Sequence, residues 1–320
     1  MRISLDWRLN IYVDYTDVLK LLNFLRIESM KSQVNRRNFF QRSGLILAGT
    51  SLATMLDGLS LADAESSKGR YRKALGFTMI KEDLSVEDKL KLVKDVGFEG
   101  IEAPTKLTNK EMPEPKVLAR ASEKVGVSVH GVVNSSHPDL KGAIDEAALY
   151  GATSVLHVVR PKPDGSFMEN YRSTQETIRQ AIPYAEKKRI HLLIENVWST
   201  FLIEPLTMAR YIDELDSPYV KAYFDVGNVV RWGWPQHWIE VLGQRIVKIH
   251  IKEYNLKVAM SEGMGKGFAF PIGQGSIDWK RVREELTKIS YRGWATAEVS
   301  GGNRERLAEI SQQMDRVLAL

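Results

Sequence analysis

The chain has 320 residues, of which 43% are hydrophobic and 27% are charged, and its formal net charge is +5. This is ordinary globular composition for one large domain or two small ones, and the mixed charges argue against a nucleic-acid-binding surface. The absence of cysteine excludes disulfides, thiolate metal sites and cysteine nucleophiles.

The first 64 residues have the features of a targeting segment. Residues 35–41 (NRRNFFQ) resemble a twin-arginine export signal, and residues 43–56 are apolar but too short for a good membrane span. Residues 62–64 (ADA) fit a cleavage site. We therefore predict a twin-arginine signal peptide over residues 30–64 and export to the periplasm, with residues 1–29 as a non-native or disordered extension. A core helix with a basic end is the alternative.

From residue 65 onward, strand-like stretches alternate with helix-like stretches. The predicted strands cover residues 73–80, 100–104, 127–134, 153–161, 190–198, 220–228, 246–254 and 294–300. The predicted helices cover residues 85–97, 114–126, 139–151, 168–189, 204–215, 235–245, 278–293 and 304–320. Strict alternation implies a parallel sheet with helical crossovers.

Eight such units predict a single-domain α/β fold over residues 65–320, the closed (β/α)8 or TIM barrel, which typically takes about 250 residues. A doubly wound open sheet is the alternative. It fits less well because the first strand-to-helix turn, residues 77–85, has no glycine to cradle a dinucleotide.

Four consecutive predicted strands carry a potential metal ligand at their carboxyl ends, where barrel enzymes place their sites. These residues are Glu195, Asp225, His250 and Glu298. Three carboxylates in a barrel interior could not all stay ionised without compensation. The set therefore predicts one divalent metal ion, with Mn²⁺, Mg²⁺ or Co²⁺ favoured by the oxygen-rich ligands and Zn²⁺ as the alternative.

Other polar residues near the strand ends are candidates for binding substrate. Lys252 lies one step closer to the barrel mouth than His250 and on the same strand face, so we expect it to contact a substrate oxygen. His130 and His157 lie near the ends of strands 3 and 4 and either contact substrate hydroxyls or are satisfied interior histidines. Lys248, one layer deeper, is expected to form a buried ion pair.

The segments LLIENVW, FDVGN, KIHIKEY and AEVS resemble the xylose-isomerase-like barrel superfamily, which includes sugar-phosphate isomerases and epimerases, ketose 3-epimerases and hydroxypyruvate isomerase. The resemblance covers about residues 72–318. It implies that Glu195, Asp225, His250 and Glu298 bind one divalent metal ion, and that Glu195 and Glu298 also act as an acid/base pair. An ion chelated by a carbonyl and an adjacent hydroxyl acidifies the C–H between them and stabilises the enediolate, while a carboxylate on each face removes and returns the proton.

Two departures from that pattern concern the substrate. Ketose epimerases usually have a histidine three residues after the metal aspartate, where this chain has Asn228, and an arginine after the metal histidine, where the nearest cations are Lys252 and Lys257. Substrate binding through Asn228 and Lys252 would therefore differ from that of a simple ketose epimerase. The export signal also weakens the case for a cytosolic sugar phosphate. The sequence predicts a metal-dependent isomerase or epimerase of a non-phosphorylated sugar or keto-sugar.

Three alternatives stay open at this stage. The same scaffold could carry a lyase that β-eliminates a 3-keto-glycoside, or a non-catalytic periplasmic sugar-binding protein. An endonuclease-like phosphodiesterase fits less well, because it needs more than the 6 histidines of this chain and a basic face. The expected partner is a small carbohydrate, without nucleic acid or membrane after signal cleavage, and a homo-oligomer is allowed.

Overall fold

The computed structural model describes residues 69–198 and 201–320, and within them eight parallel strands close into a barrel. The strands are β1 (Tyr71–Gly76), β2 (Gly100–Pro104), β3 (Ser128–Val133), β4 (Ser154–His157), β5 (His191–Glu195), β6 (Val220–Asp225), β7 (Ile246–Ile251) and β8 (Gly293–Ala297). Each strand pairs with the next, and β8 pairs with β1. The predicted TIM barrel is confirmed. The predicted extension (1–29) and signal peptide (30–64) lie outside the described residues.

Helices connect the strands and cover the barrel. They are α1 (Val86–Asp95), α2 (Pro115–Val125), α3 (Leu140–Tyr150), α4 (Phe167–Arg179), α5 (Ile182–Lys188), α6 (Pro205–Asp213), α7 (Pro235–Leu242), α8 (Leu256–Glu262), α9 (Trp279–Lys288) and α10 (Arg304–Leu318). Six of them start after a Ser, Asp or Asn whose side chain accepts a backbone N–H of the first turn. Such caps satisfy donors that a helix start leaves open. Within the described residues, no helix is long and apolar enough to cross a membrane.

The core lies between the outer faces of the strands and the inner faces of the helices. Strand residues such as Ile101 and Ile249 are fully buried there, as are Val282 and Leu286 of α9. Successive strand residues point to opposite faces, so the alternate residues of each strand line the barrel interior. Polar side chains that follow this alternation are therefore directed inward.

One predicted helix is divided in the structure. Residues 168–189 were expected to form a single helix, but α4 ends at Arg179 and α5 begins at Ile182. Pro183 lies at the start of α5. A proline inside a continuous helix would clash with the carbonyl four residues earlier, here that of Arg179, which explains the break.

The long connection after β7 is anchored by the buried carboxylate of Glu253. Its oxygens accept hydrogen bonds from the backbone N–H groups of Gly273 and Ile277 and from Trp279 Nε1. Gly275 is required beside it, because a Cβ there would collide with the Glu253 side chain. This anchor fixes the base of the connection next to the carboxyl end of β7.

We expect Gly301→Ala to destabilise the fold. Gly301 lies in the turn after β8, where a Cβ would overlap the backbone of Met79, and the neighbouring Gly302 N–H donates to Met79 O at 3.0 Å. Overpacking of this kind costs about 1–3 kcal/mol, which urea unfolding of the full chain should report. Gly265→Ala is the matched control, since nothing lies within 4 Å of its Cβ position. Equal unfolding midpoints for the two variants would contradict this interpretation.

Candidate metal centre and active site

The four side chains predicted as metal ligands lie together at the carboxyl ends of β5 to β8. Glu195 and Asp225 are the last residues of β5 and β6. His250 is next to last in β7, and Glu298 directly follows β8. One ligand atom from each side chain lies within 4.8 Å of the others, so one ion can be contacted by all four.

His250 lies at the centre of this cluster. Its Nδ1 is 3.1 Å from Glu195 Oε1, 3.2 Å from Glu298 Oε2 and 3.7 Å from Asp225 Oδ2. Its Nε2 lies 2.7 Å from the carboxylate of Glu102 on β2. The two ring nitrogens therefore face different groups, three ligand carboxylates on one side and a single carboxylate on the other.

The carboxylate of Asp225 is oriented by the turn that follows β6. Oδ1 accepts hydrogen bonds from the backbone N–H groups of Gly227 (2.9 Å) and Asn228 (2.7 Å). Oδ2 is buried, and its partner is the ammonium of Lys252, whose Nζ lies 2.9 Å away. The turn therefore occupies one oxygen and leaves the other directed at the cluster.

The protonation of the cluster reflects burial opposed by neighbouring charges. Burial raises the pKa of Asp225 to about 7. Burial also disfavours ionised Glu298, but Lys252 and His250 hold the pKa of Glu298 well below its usual range. Burial disfavours charged His250, yet Glu298 and Glu102 outweigh that effect and raise the pKa of His250. The negative charge of the carboxylates is thus balanced by protons on Asp225 and His250 and by the ammonium group of Lys252.

Lys252, predicted to bind substrate, reaches the same carboxylates. Its Nζ lies 2.6 Å from Glu298 Oε2 and 2.9 Å from Asp225 Oδ2. Its stem passes over Gly227, where a Cβ would collide with Lys252 Cγ. Burial alone would lower the pKa of Lys252, but the two carboxylates raise it above its usual value. Lys252 is therefore held as an ammonium beside oxygens that would bind a metal ion.

Asn228, the other residue predicted to bind substrate beside the metal aspartate, joins neighbouring loops. Its Nδ2 donates to Asn196 O at 3.0 Å, and its Oδ1 lies 3.4 Å from Lys252 Nζ. Its carbonyl accepts from Trp198 Nε1 at 2.6 Å. Asn228 is only 8% exposed, so these contacts show a positioning role, and a contact with substrate stays a prediction.

His130 does not join the cluster. It lies in the middle of β3 instead of at its end, with Nε2 3.0 Å from Thr296 Oγ1 and the ring stacked on Trp294. Thr296 and Trp294 precede Glu298 on β8 by two and four residues, and a strand rises about 3.3 Å per residue. His130 is thus a buried residue beneath the ligand layer, a placement that does not support the predicted substrate contact.

Lys248 is also beneath the ligand layer, but the expected ion pair is absent. Its Nζ donates to His130 O at 2.5 Å and to Ser154 Oγ at 2.6 Å. Among the residues that the structure describes, no carboxylate oxygen forms an ion pair with it. Burial lowers the pKa of Lys248 to about 7, so neutral acceptors replace the predicted partner.

His157 is the last residue of β4 and lies apart from the four ligands. It is 7% exposed, and burial lowers its pKa to about 4. Its Nδ1 has no hydrogen-bond partner among the described residues. It lines a cavity of about 240 Å³ with Arg160 and Lys162, and its contact with substrate stays a prediction.

The donor set fits a divalent cation. Three carboxylates and one imidazole supply mostly hard oxygen ligands, the type preferred by Mn²⁺ and Mg²⁺, and the imidazole also suits Co²⁺ or Zn²⁺. The buried Asp225 Oδ2 already faces a positive charge, the Lys252 ammonium at 2.9 Å, so this oxygen is placed to bind a cation. Glu298 is the most accessible of the four ligands, with 48% of its side chain exposed, so substrate can approach from its side.

Two residues that shape this centre were not predicted from the sequence. Glu102 binds His250, and Asn196 exchanges two hydrogen bonds with the backbone of Asp225, both at 2.8 Å. Glu102 was visible as a lone carboxylate in the apolar predicted strand 100–104. No sequence pattern pointed to Asn196 except its place next to Glu195, because its hydrogen-bond partner, Asp225, lies on a neighbouring strand.

We expect Mn²⁺ affinity to fall as the pH is lowered from 8 to 6. Metal ligands must be deprotonated, and both His250 and Asp225 hold protons in this range because their pKa values are raised. Each proton that the ion must displace lowers the affinity by up to about tenfold for every pH unit below the pKa of the protonated group. Calorimetric titration of metal-free protein should show this slope, and Asp225→Asn should bind more weakly with a shallower slope. Equal wild-type affinity at pH 6 and pH 8 would contradict the assignment.

The chain is similar to sugar epimerases, both in sequence and in fold. L-ribulose-5-phosphate 3-epimerase UlaE of Shigella flexneri is 23% identical over 260 residues, which cover 72% of this chain and 88% of UlaE. Among solved structures, D-allulose 3-epimerase from Methylomonas sp. in complex with D-allulose aligns with a TM-score of 0.62 at 16% identity, over 78% of this chain and 97% of that one.

Two further solved structures share the fold. 3-Keto-D-glucoside 4-epimerase YcjR from E. coli has a TM-score of 0.61 at 13% identity and covers 77% of this chain and 98% of its own. The IolI protein with a bound zinc atom has a TM-score of 0.63 at 15% identity, with the same coverage of 77% and 98%. The family profile of the xylose isomerase-like TIM barrel matches residues 90–319. The chain therefore belongs to the xylose isomerase-like TIM barrel family.

Proposed function

We propose that the protein is a metal-dependent epimerase or isomerase of a non-phosphorylated sugar or keto-sugar. The observation that carries this proposal is the pair of carboxylates, Glu195 and Glu298, that both lie next to His250 Nδ1, at 3.1 and 3.2 Å. They come from β5 and β8, which are separated by two strands of the barrel, so they approach the same centre from different directions. The epimerase names of the similar proteins support the same reaction class.

A divalent ion held by the four ligands would draw electrons from a substrate carbonyl and so acidify the neighbouring C–H. One of the two glutamates accepts the proton from that carbon, and the other returns a proton to the opposite face. The low pKa of Glu298 keeps its carboxylate ionised, the form that a base requires. Its exposed side chain faces the route by which substrate enters.

Lys252 would bind the substrate in this scheme. Its ammonium already contacts Glu298 and Asp225, and an ammonium has three N–H donors. The third donor faces Asn228 Oδ1 at the long distance of 3.4 Å, and it can exchange this contact for a substrate hydroxyl or carbonyl oxygen next to the reacting carbon. Lys252 thereby orients the substrate without taking part in the proton transfer.

The turn after β8 supports a substrate without phosphate. Many TIM barrels bind phosphate near the loops after strands 7 and 8, at a helix N-terminus. Here α10 begins in that region, and the backbone N–H of Arg304 already donates to Glu82 Oε1 at 2.6 Å. The side chain of Asn303 accepts the N–H of Arg306. These contacts occupy two N–H groups at the start of α10, and the Glu82 carboxylate would repel a phosphate.

We also propose that the protein is exported by the twin-arginine route.

A lyase that acts on a 3-keto-glycoside is the second candidate. It would use the same proton abstraction but would expel the group β to the carbonyl. Trp232 and Trp234 follow β6 and are 52% and 49% exposed, and their faces offer apolar surfaces on which a leaving aglycone can stack. Release of free aglycone instead of an epimeric glycoside would favour this reaction.

We expect metal-loaded protein in deuterated water to exchange the hydrogen next to the carbonyl of its substrate. NMR with a panel of ketoses and 3-keto-glycosides would detect this exchange. Glu195→Gln and Glu298→Gln should each lower it by about 10²–10⁴-fold, the usual contribution of an acid or base. Metal content must be measured in both variants, because each glutamate is also a ligand.

Glu146→Gln is the matched control for those variants. Glu146 is also buried, but its carboxylate accepts bonds from the Lys106 N–H and the Tyr150 hydroxyl, away from the ligands. Its exchange rate should stay close to that of the wild type. If both Glu195→Gln and Glu298→Gln exchanged the substrate hydrogen at the wild-type rate, the proposed mechanism would be wrong.

We also expect a free ketose to be a better substrate than its phosphate ester. The value of kcat/KM should be at least about tenfold higher for the unphosphorylated sugar, since one charge contact is worth about 1.4 kcal/mol or more in such a site. Coupled assays on one ketose, with and without its terminal phosphate, would measure the ratio. A preference for the phosphate would contradict the argument from Glu82.

A further inference from the structure

Glu102 is a carboxylate buried in the barrel interior next to His250. It is 2% exposed, and its ion-pair contact among the described residues is His250 Nε2, 2.7 Å from Oε2. Its other oxygen, Oε1, has no hydrogen-bond partner in that part of the chain. Burying a carboxylate with one unsatisfied oxygen is costly, so the residue is expensive as a purely structural element.

The backbone directs Glu102 toward His250. The pairing between β2 and β3 shifts between Ile101 and Glu102, so Glu102 pairs with Gly131 and His130 is passed over. Irregularities of this kind re-aim a side chain next to active sites. At Gly131 a Cβ would crowd Ser154 Oγ at 2.9 Å and Lys248 Nζ at 3.1 Å, while Glu102 Oε1, at 3.4 Å, would be in ordinary contact with it.

We propose that Glu102 is a positioning residue that holds the proton of His250 on Nε2 and so leaves the Nδ1 lone pair for a metal ion. A carboxylate next to a ring nitrogen accepts a hydrogen bond, which fixes the N–H at that nitrogen. Nδ1 also has carboxylate neighbours, but Glu195 and Glu298 lie farther away, at 3.1 and 3.2 Å against 2.7 Å for Glu102, and their oxygens are those that would bind the ion together with Nδ1. This proposal rests on the proposed metal-dependent function. It assigns a positioning role to Glu102, which would not itself contact the ion.

The test compares Glu102→Met, which removes the acceptor, with Glu102→Gln, whose amide oxygen can still accept. Loss of a carboxylate behind a metal-bound histidine typically weakens metal binding by about 10–100-fold. We expect that loss for Glu102→Met in titrations with Zn²⁺ and a smaller loss for Glu102→Gln. Glu146→Met, which also removes a buried carboxylate, should leave Zn²⁺ affinity unchanged.

Ring ¹⁵N NMR supplies a readout that a purely structural role would not move. In wild-type protein, the His250 signals, assigned by their absence in His250→Asn, should show a protonated Nε2 both with and without Zn²⁺. In Glu102→Met the metal-free ring should populate both neutral tautomers at high pH, and in Glu102→Gln Nε2 should stay protonated. If Glu102→Met does not fold, Glu102→Gln still tests the role through a weakened Nε2–H hydrogen bond.

The outcomes separate the two proposals. If wild-type protein binds neither Zn²⁺ nor Mn²⁺, the proposed function fails and the role of Glu102 fails with it. If wild-type protein binds an ion and the Glu102 variants match its affinity and ring signals, only the positioning role is overturned. Weakened binding together with altered ring signals, at unchanged affinity of Glu146→Met, supports it.

Discussion

The structure of this site depends on placing three carboxylates next to each other inside a barrel. Glu195, Asp225 and Glu298 would repel one another and resist burial if nothing balanced them. In the structure that balance comes from Lys252, which contacts two of them, and from the His250 ring. The same arrangement could hold a divalent ion, because an ion would concentrate the compensating charge at the point where the four proposed ligand atoms meet.

The barrel makes this concentration of charge possible through register and through missing side chains. Asp225 pairs directly with His250 across β6 and β7, so their side chains reach the same height. Two glycines give room for charged side chains, Gly227 beneath the stem of Lys252 and Gly131 beside Lys248 Nζ and Ser154 Oγ. Alanine at Gly227 would push the stem of Lys252 away from the centre without changing any of the four proposed ligands.

The sequence was sufficient for the barrel and for the residues at its strand ends, because both follow from local periodicity. Strand β2 occupies residues 100–104 as predicted, and the four proposed ligands lie at adjacent strand ends. The sequence did not decide the surroundings of side chains that depend on contacts between strands. The pairing shift at Glu102 passes over His130, which lies below the ligand layer, and Lys248 found neutral acceptors instead of the expected acid. No pattern along a single strand reports such a shift.

Two layers of the interior therefore have different tasks. The upper layer contains the ligand atoms and Lys252, and its most exposed member, Glu298, faces solvent. The lower layer is buried and contains a chain of hydrogen bonds. Tyr223 donates to Thr296, and Thr296 contacts His130. His250 connects the layers through Glu102, so the lower layer limits how the ring can turn. An imidazole that cannot turn would present the same nitrogen to a bound ion, so the lower layer would fix the geometry of the proposed metal centre before substrate enters.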